Sequence, residues 1–238
     1  MSGSIARKID HSLLQPTLTD GELRAGCELA RRFQVASVCL KPYAVPLASE
    51  LLEGSGVAVG TVVGFPHGSH ATRVKVFEAE QACRDGATEL DMVVNIGKVL
   101  SGEWAYVRAE IGAIVDLAHA HGAISKVIFE NDFLPGDDLK IHLCRLAEEA
   151  GAEFVKTSTG YGFTIQPDGH YAYRGATEHD VRLMRAHVGP EVQVKAAGGI
   201  RTYEDALRMC RAGAARLGCT ATEAIVSGER LAQGIGQE

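Results

Sequence analysis

Two lysines stand where an ammonium is hard to place. Lys156 lies in FVKTST (154–159) and Lys195 in VQVKAA (192–197), both short, β-rich and largely apolar runs. A lysine amine attacks a carbonyl only when neutral, yet its ordinary pKa is about 10.4. Burial and a second ammonium nearby both favour the neutral form, so two inward lysines on adjacent strands can make an amine nucleophile. Asp91, in ELDMVVN (89–95), is a carboxylate able to move protons during addition and dehydration. Spacing alone leaves open which lysine attacks.

More charges follow the same alternation. Glu89 and Asp91 oppose Leu90, Met92 and Val94; Lys126 and Glu130 oppose Val127 and Phe129; Asp10 falls between Ile9 and His11. Strand side chains alternate between faces, and parallel strands covered on both sides are normally apolar throughout. If the apolar sides meet helices, four or five strands send charges inward, which is costly unless they are paired. A structural ion-pair network would satisfy this pattern. Lys156, Lys195 and Glu130, however, lie toward the C-terminal ends of their strands, where barrel enzymes carry their active sites. Thr157-Ser158-Thr159-Gly160, Gly198-Gly199 and Gly218-Cys219-Thr220 follow the last three strands, and such turns bind phosphate through backbone N–H groups and hydroxyls.

The elements that position these residues recur along the chain. Helical stretches end in Gly-Ala before a β-rich run at Gly86, Gly122, Gly151 and Gly213. The spacing is about 30 residues, doubled in the last interval, which fits a βα unit. Strands are expected at 8–13, 35–40, 57–65, 88–95, 125–130, 154–159, 192–197 and 215–220. Trp104, Val107, Ile111, Ile114 and Ala118 share one helical face, and Leu139, Leu143, Leu146 and Ala150 another. Thr177 and Thr202 are placed to cap helices. Eight strands alternating with helices, with no linker-like segment, predict an α/β fold: a single (β/α)8 TIM barrel over residues 1–238, with an open doubly wound sheet as the alternative.

Composition narrows the function. The chain has 238 residues, 46% apolar and 23% charged, with a formal net charge of −6 that argues against a general nucleic-acid binder. Six cysteines without a Cys-x-x-Cys pair read as reduced, mostly buried thiols rather than a zinc site, and Cys39 as a small buried hydrophobe. No apolar run approaches a membrane span or a signal peptide, so a cytoplasmic location is expected. His67 and His70 read as surface residues.

KIDHSLLQP (8–16), ASVCLKP (36–42), GTVVGFPHG (60–68), ELDMVVNIG (89–97), KVIFE (126–130), FVKTSTG (154–160), VKAAGGIRT (194–202) and ARLGCT (215–220) together resemble the deoxyribose-phosphate aldolase family over nearly the whole chain. The resemblance implies a metal-free, cofactor-free class I aldolase that reversibly cleaves 2-deoxy-D-ribose 5-phosphate to D-glyceraldehyde 3-phosphate and acetaldehyde. Lys156 matches the Schiff-base lysine, Lys195 the lysine that lowers its pKa, and Asp91 the acid/base residue. Asp10 and Lys126 match supporting charges. Gly160, Gly198, Gly199, Gly218 and Thr220 match the phosphate rim, with Thr159 beside them. The partner implied is a small phosphorylated sugar, with no nucleic acid or membrane, and homo-oligomerisation is left open.

The chain departs from the family pattern in four places. Thr220-Ala221 stands where two serines are common. Asn131 and Asp132 replace smaller residues after the fifth-strand glutamate. The stretch after the sixth strand, 161–175, is longer, and the chain closes Gly236-Gln237-Glu238 without a terminal tyrosine. Within the longer stretch, Pro167-Asp168-Gly169 between alternating bulky residues predicts a β-hairpin. Arg174 or Tyr161 is expected to reach the phosphate from it and offset the hydroxyl missing at Ala221, the alternative being a surface excursion or a subunit contact. The competing readings are a lysine aldolase acting on another sugar phosphate and a catalytically dead phosphosugar-binding barrel, which would lack one of Lys156, Lys195 or Asp91.

Overall fold

The computed structural model describes residues 4–234, so the terminal 236–238 stretch and its missing tyrosine lie outside the described residues. Eight parallel strands close into a barrel: β1 (Ile9–Leu13), β2 (Ser37–Leu40), β3 (Ala58–Val63), β4 (Glu89–Val93), β5 (Ile124–Ile128), β6 (Phe154–Lys156), β9 (Gln193–Ala197) and β10 (Arg216–Cys219), which pairs back to β1. All eight expected strands are present, each somewhat shorter than its apolar run. The barrel closes, so the open-sheet alternative falls.

Around it lie α1 (Asp20–Phe33), α2 (Val45–Leu52), α3 (Thr72–Arg84), α4 (Ile96–Leu100), α5 (Trp104–Ala120), α6 (Asp137–Glu149), α7 (Glu178–Ala186), α8 (Tyr203–Ala212) and α9 (Thr222–Ala232). Val107, Ile111, Ile114 and Ala118 of α5 are buried together against the sheet, because residues three and four apart share one helical face. Thr177 and Thr202 accept the N–H groups of Asp180 and Asp205, which fixes where α7 and α8 begin and therefore where the loops before them end. Gly213, at φ 118°, terminates α8 in a conformation that side chains rarely adopt.

Between β6 and α7 runs the two-stranded antiparallel hairpin that the alternating sequence predicts, β7 (Thr164–Ile165) and β8 (Tyr171–Ala172), with Gly169 at φ 85° in the turn. No described helix is long and apolar enough to cross a membrane.

Candidate active site

The period-two alternation carries the charges of six strands into the barrel. Asp10, Asp91, Lys126 and Lys195 are fully buried there, with Glu89 and Lys156 nearly so. Asp91 is the hub. Its Oδ2 accepts hydrogen bonds from Lys156 Nζ and Lys195 Nζ, each at 2.7 Å, and its Oδ1 lies 2.9 Å from Lys126 Nζ. Asp10 lies 2.6 Å from Lys195 and 3.2 Å from Lys126. Deeper in the barrel, Arg216 donates to Asp10 at 2.5 Å and to Glu89 at 3.3 Å, and Lys126 donates to Glu89 at 2.6 Å.

Three carboxylates (Asp10, Glu89, Asp91) thus face three cations (Lys126, Lys195, Arg216). The set is balanced before Lys156 is counted. A protonated Lys156 would leave one excess charge in a buried network, which is unfavourable. Burial pushes the Lys156 amine below its ordinary pKa; the Asp91 carboxylate opposes this, and the Lys195 ammonium adds to burial. Burial acts on Lys195 and Lys126 too, but their carboxylates outweigh it and raise both. Of the three inward lysines, Lys156 alone is shifted toward the neutral amine. It is also the one that lines the cavity at the C-terminal rim, whose volume is about 420 Å³.

The same cavity is lined by Thr159, Gly160, Gly198, Gly199, Gly218 and Thr220, so the expected phosphate rim and Lys156 share one space. Arg174 is not part of it. Asp132 holds the backbone of the hairpin's return, accepting from Arg174 N at 2.8 Å and Gly175 N at 3.0 Å, while the Arg174 side chain projects into solvent. The arginine in the cavity wall is Arg201, in the IRT run just beyond Gly198-Gly199. Sequence reasoning passed over it, although its position two residues after a rim glycine was the available signal. Arg216 was likewise missed; it alternates with Gly218 on β10 and so faces inward.

Cys39 is buried beside Leu14 and Val62, but its thiol also points toward Asp91 Oδ2 at 3.8 Å. It therefore edges the charged network and is more than an apolar filler. His67 and His70 are exposed, as expected of surface residues.

A closed parallel barrel with a buried amine at its C-terminal rim, shifted toward its neutral form, defines a class: enzymes that act on carbonyls through a lysine. The chain belongs to the DeoC/LacD family of aldolases, whose pattern matches residues 5–228. A protein of Rhodopirellula baltica named deoxyribose-phosphate aldolase is 48% identical over 97% of this chain and 91% of its own length. One of the same name from Thermococcus gammatolerans is 49% identical over 96% of this chain and 98% of its own. A solved deoxyribose phosphate aldolase from Aeropyrum pernix, described as having a unique tetrameric structure, superposes with a TM-score of 0.84 at 32% identity, covering 95% of this chain and 91% of that one.

Proposed function

We propose that Lys156 is the nucleophile of a class I aldolase that reversibly cleaves 2-deoxy-D-ribose 5-phosphate. The observation that carries the assignment is that Lys156 alone among the inward lysines both lines the cavity and is shifted toward the neutral amine. Its Nζ adds to the aldehyde carbon of the open-chain sugar, and loss of water gives an imine. The protonated imine at the first carbon draws electrons from the bond between the second and third carbons. As that bond breaks, the hydroxyl on the third carbon loses its proton and becomes the aldehyde of D-glyceraldehyde 3-phosphate, which departs. The remaining enamine takes a proton on carbon, and water returns acetaldehyde and the free amine.

Asp91 touches both lysine nitrogens and is the group placed to shuttle protons between them and water. Lys195 keeps the nucleophile's pKa low, and Asp10 and Lys126 hold Asp91 and Lys195 in place. Gly160, Gly198, Gly199 and Gly218 bring backbone close to the phosphate, Thr220 adds a hydroxyl, Thr159 lines the same space with its hydroxyl donated to Glu130, and α9 opens just beyond Thr220, where a helix N-terminus favours an anion. Location in the cytoplasm and assembly into homo-oligomers complete the proposal, the latter supported by the tetrameric relative.

Borohydride added with deoxyribose phosphate or acetaldehyde reduces an imine to a stable secondary amine. Peptide mapping should then place the added mass on Lys156. Label on Lys195, with Lys156→Ala still active, would overturn the assignment.

A further inference from the structure

The residues after β5 and the segment after β6 are bonded to each other. Glu130 ends β5's run in the left-handed conformation at φ 58°, an unfavourable one for glutamate. Its fully buried carboxylate accepts from the Thr159 hydroxyl and from Thr159 N at 3.1 Å, and the Thr159 hydroxyl in turn accepts from Tyr161 N at 2.9 Å. Gly162 passes so close that a Cβ there would sit 2.7 Å from the Glu130 carboxyl. Two residues on, Asp132, its side chain 2% exposed, receives the N–H groups of Arg174 and Gly175. One short segment therefore grips the hairpin where it leaves the barrel and again where it returns.

The grip has a consequence for the cavity. Phe163 and Tyr173 sit one residue outside β7 and β8, pack edge to face with centroids 5.2 Å apart, and line the cavity together. The foot of the hairpin is pressed on the rim: Ala176 N donates to Gly198 O at 3.1 Å, and a Cβ on Gly175 would lie 2.6 Å from the Gly198 carbonyl. The hairpin is thus part of the wall of the site.

We propose that Asp132 and Glu130 are positioning residues that hold the Phe163–Tyr173 pair in the cavity wall, and that this pair sets affinity for the part of the sugar phosphate remote from its aldehyde. The proposal rests on the aldolase reading of the same site. Acetaldehyde meets only Lys156 and the charged groups around it, whereas the five-carbon phosphate must also fit beneath the hairpin. Loss of the clamp should therefore raise KM for deoxyribose phosphate and leave imine formation with acetaldehyde untouched.

The test compares wild type with Asp132→Ala, Asp132→Asn, Tyr173→Ala and the Asp132→Ala/Tyr173→Ala double variant. Asp132→Ala should raise KM for deoxyribose phosphate about tenfold with little change in kcat. Asp132→Asn, which keeps one acceptor, should fall between it and wild type. The double variant should be no worse than the poorer single one, because both remove the same wall. Borohydride trapping with acetaldehyde should proceed equally in all of them. Hydrogen exchange at the Arg174 and Gly175 amides should speed up in Asp132→Ala.

Unchanged KM with faster exchange would overturn the link to affinity. Unchanged exchange would overturn the clamp. Fully additive losses, or an equal loss in acetaldehyde trapping, would show that Asp132 acts by another route. A wild-type protein that traps nothing on Lys156 would instead bring down the aldolase reading, whatever the hairpin variants do.

Discussion

Lys156 and Lys195 are register partners on neighbouring strands, β6 and β9, and their side-chain nitrogens share a single oxygen of Asp91 at 2.7 Å each. The sharing is unequal. Asp10 lies on the Lys195 side only, so Lys195 keeps its proton while Lys156 is shifted toward giving its up. Two amines bridged by one carboxylate, one raised and one lowered from the ordinary lysine pKa, follow from that asymmetry.

Removing Lys195 should therefore move the pH profile as well as the rate. In Lys195→Leu the ammonium that lowers the Lys156 pKa is gone, and Asp91 and Asp10 lose a cation. Both changes raise the Lys156 pKa, so the rising limb of kcat/KM should shift to higher pH. A residual activity with an unmoved limb would show that burial alone sets the nucleophile's pKa.

Asp91→Asn should slow the steps that need proton transfer while sparing phosphate binding. Inhibition by inorganic phosphate should stay near the wild-type level as turnover falls by about a hundredfold or more. Loss of phosphate inhibition in parallel would mean that the substitution collapses the rim.

The two arginines near the mouth should separate cleanly. Arg201→Ala should raise KM for deoxyribose phosphate about tenfold and barely change activity on unphosphorylated deoxyribose, since a guanidinium makes charge-assisted bonds to phosphate oxygens. Arg174→Ala should be close to silent on both substrates, because its side chain is largely exposed and is not part of the cavity lining.

Glu130 should give stability a pH dependence of its own. Burial raises its carboxyl to about 7, with Asp132 pushing the same way and the Thr159 bonds and Lys156 opposing. A raised folded-state pKa means the folded protein holds the proton more tightly than the unfolded chain. The stabilisation is complete below the ordinary glutamate range and is lost as pH climbs through about 7. Denaturant midpoints measured from pH 5 to pH 8 should decline in wild type, and Glu130→Gln, the isostere of the protonated acid, should flatten that decline.

Lys126→Met should be among the most damaging substitutions that leave the cavity lining intact. It strips a cation from between Asp10, Glu89 and Asp91, and uncompensated buried charge costs about 3–5 kcal/mol. Urea denaturation would read the loss directly. A shift under about 1 kcal/mol would show that water or protonation compensates the carboxylates.

The eight strands, their order and the inward facing of Asp10, Asp91, Lys126, Lys156 and Lys195 could be read from the chain, because strand alternation and helix periodicity are local properties. The Thr177 and Thr202 caps and the hairpin turn at Gly169 were legible for the same reason. What each inward charge meets is another matter. Which of Lys156 and Lys195 is shifted toward the neutral amine depends on where Asp10 stands, beside Lys195, and β1 reaches that position only when β10 closes the barrel. Arg174 stands outside the cavity lining, which its sequence could not show, because a loop's sequence does not say which of its sides is tied down; Asp132, 42 residues earlier, takes the Arg174 and Gly175 amides just beyond the return strand. Alternation assigns a side chain to a face, but pKa values and loop direction come from distances between residues far apart in the chain, and only closure of the barrel sets those distances.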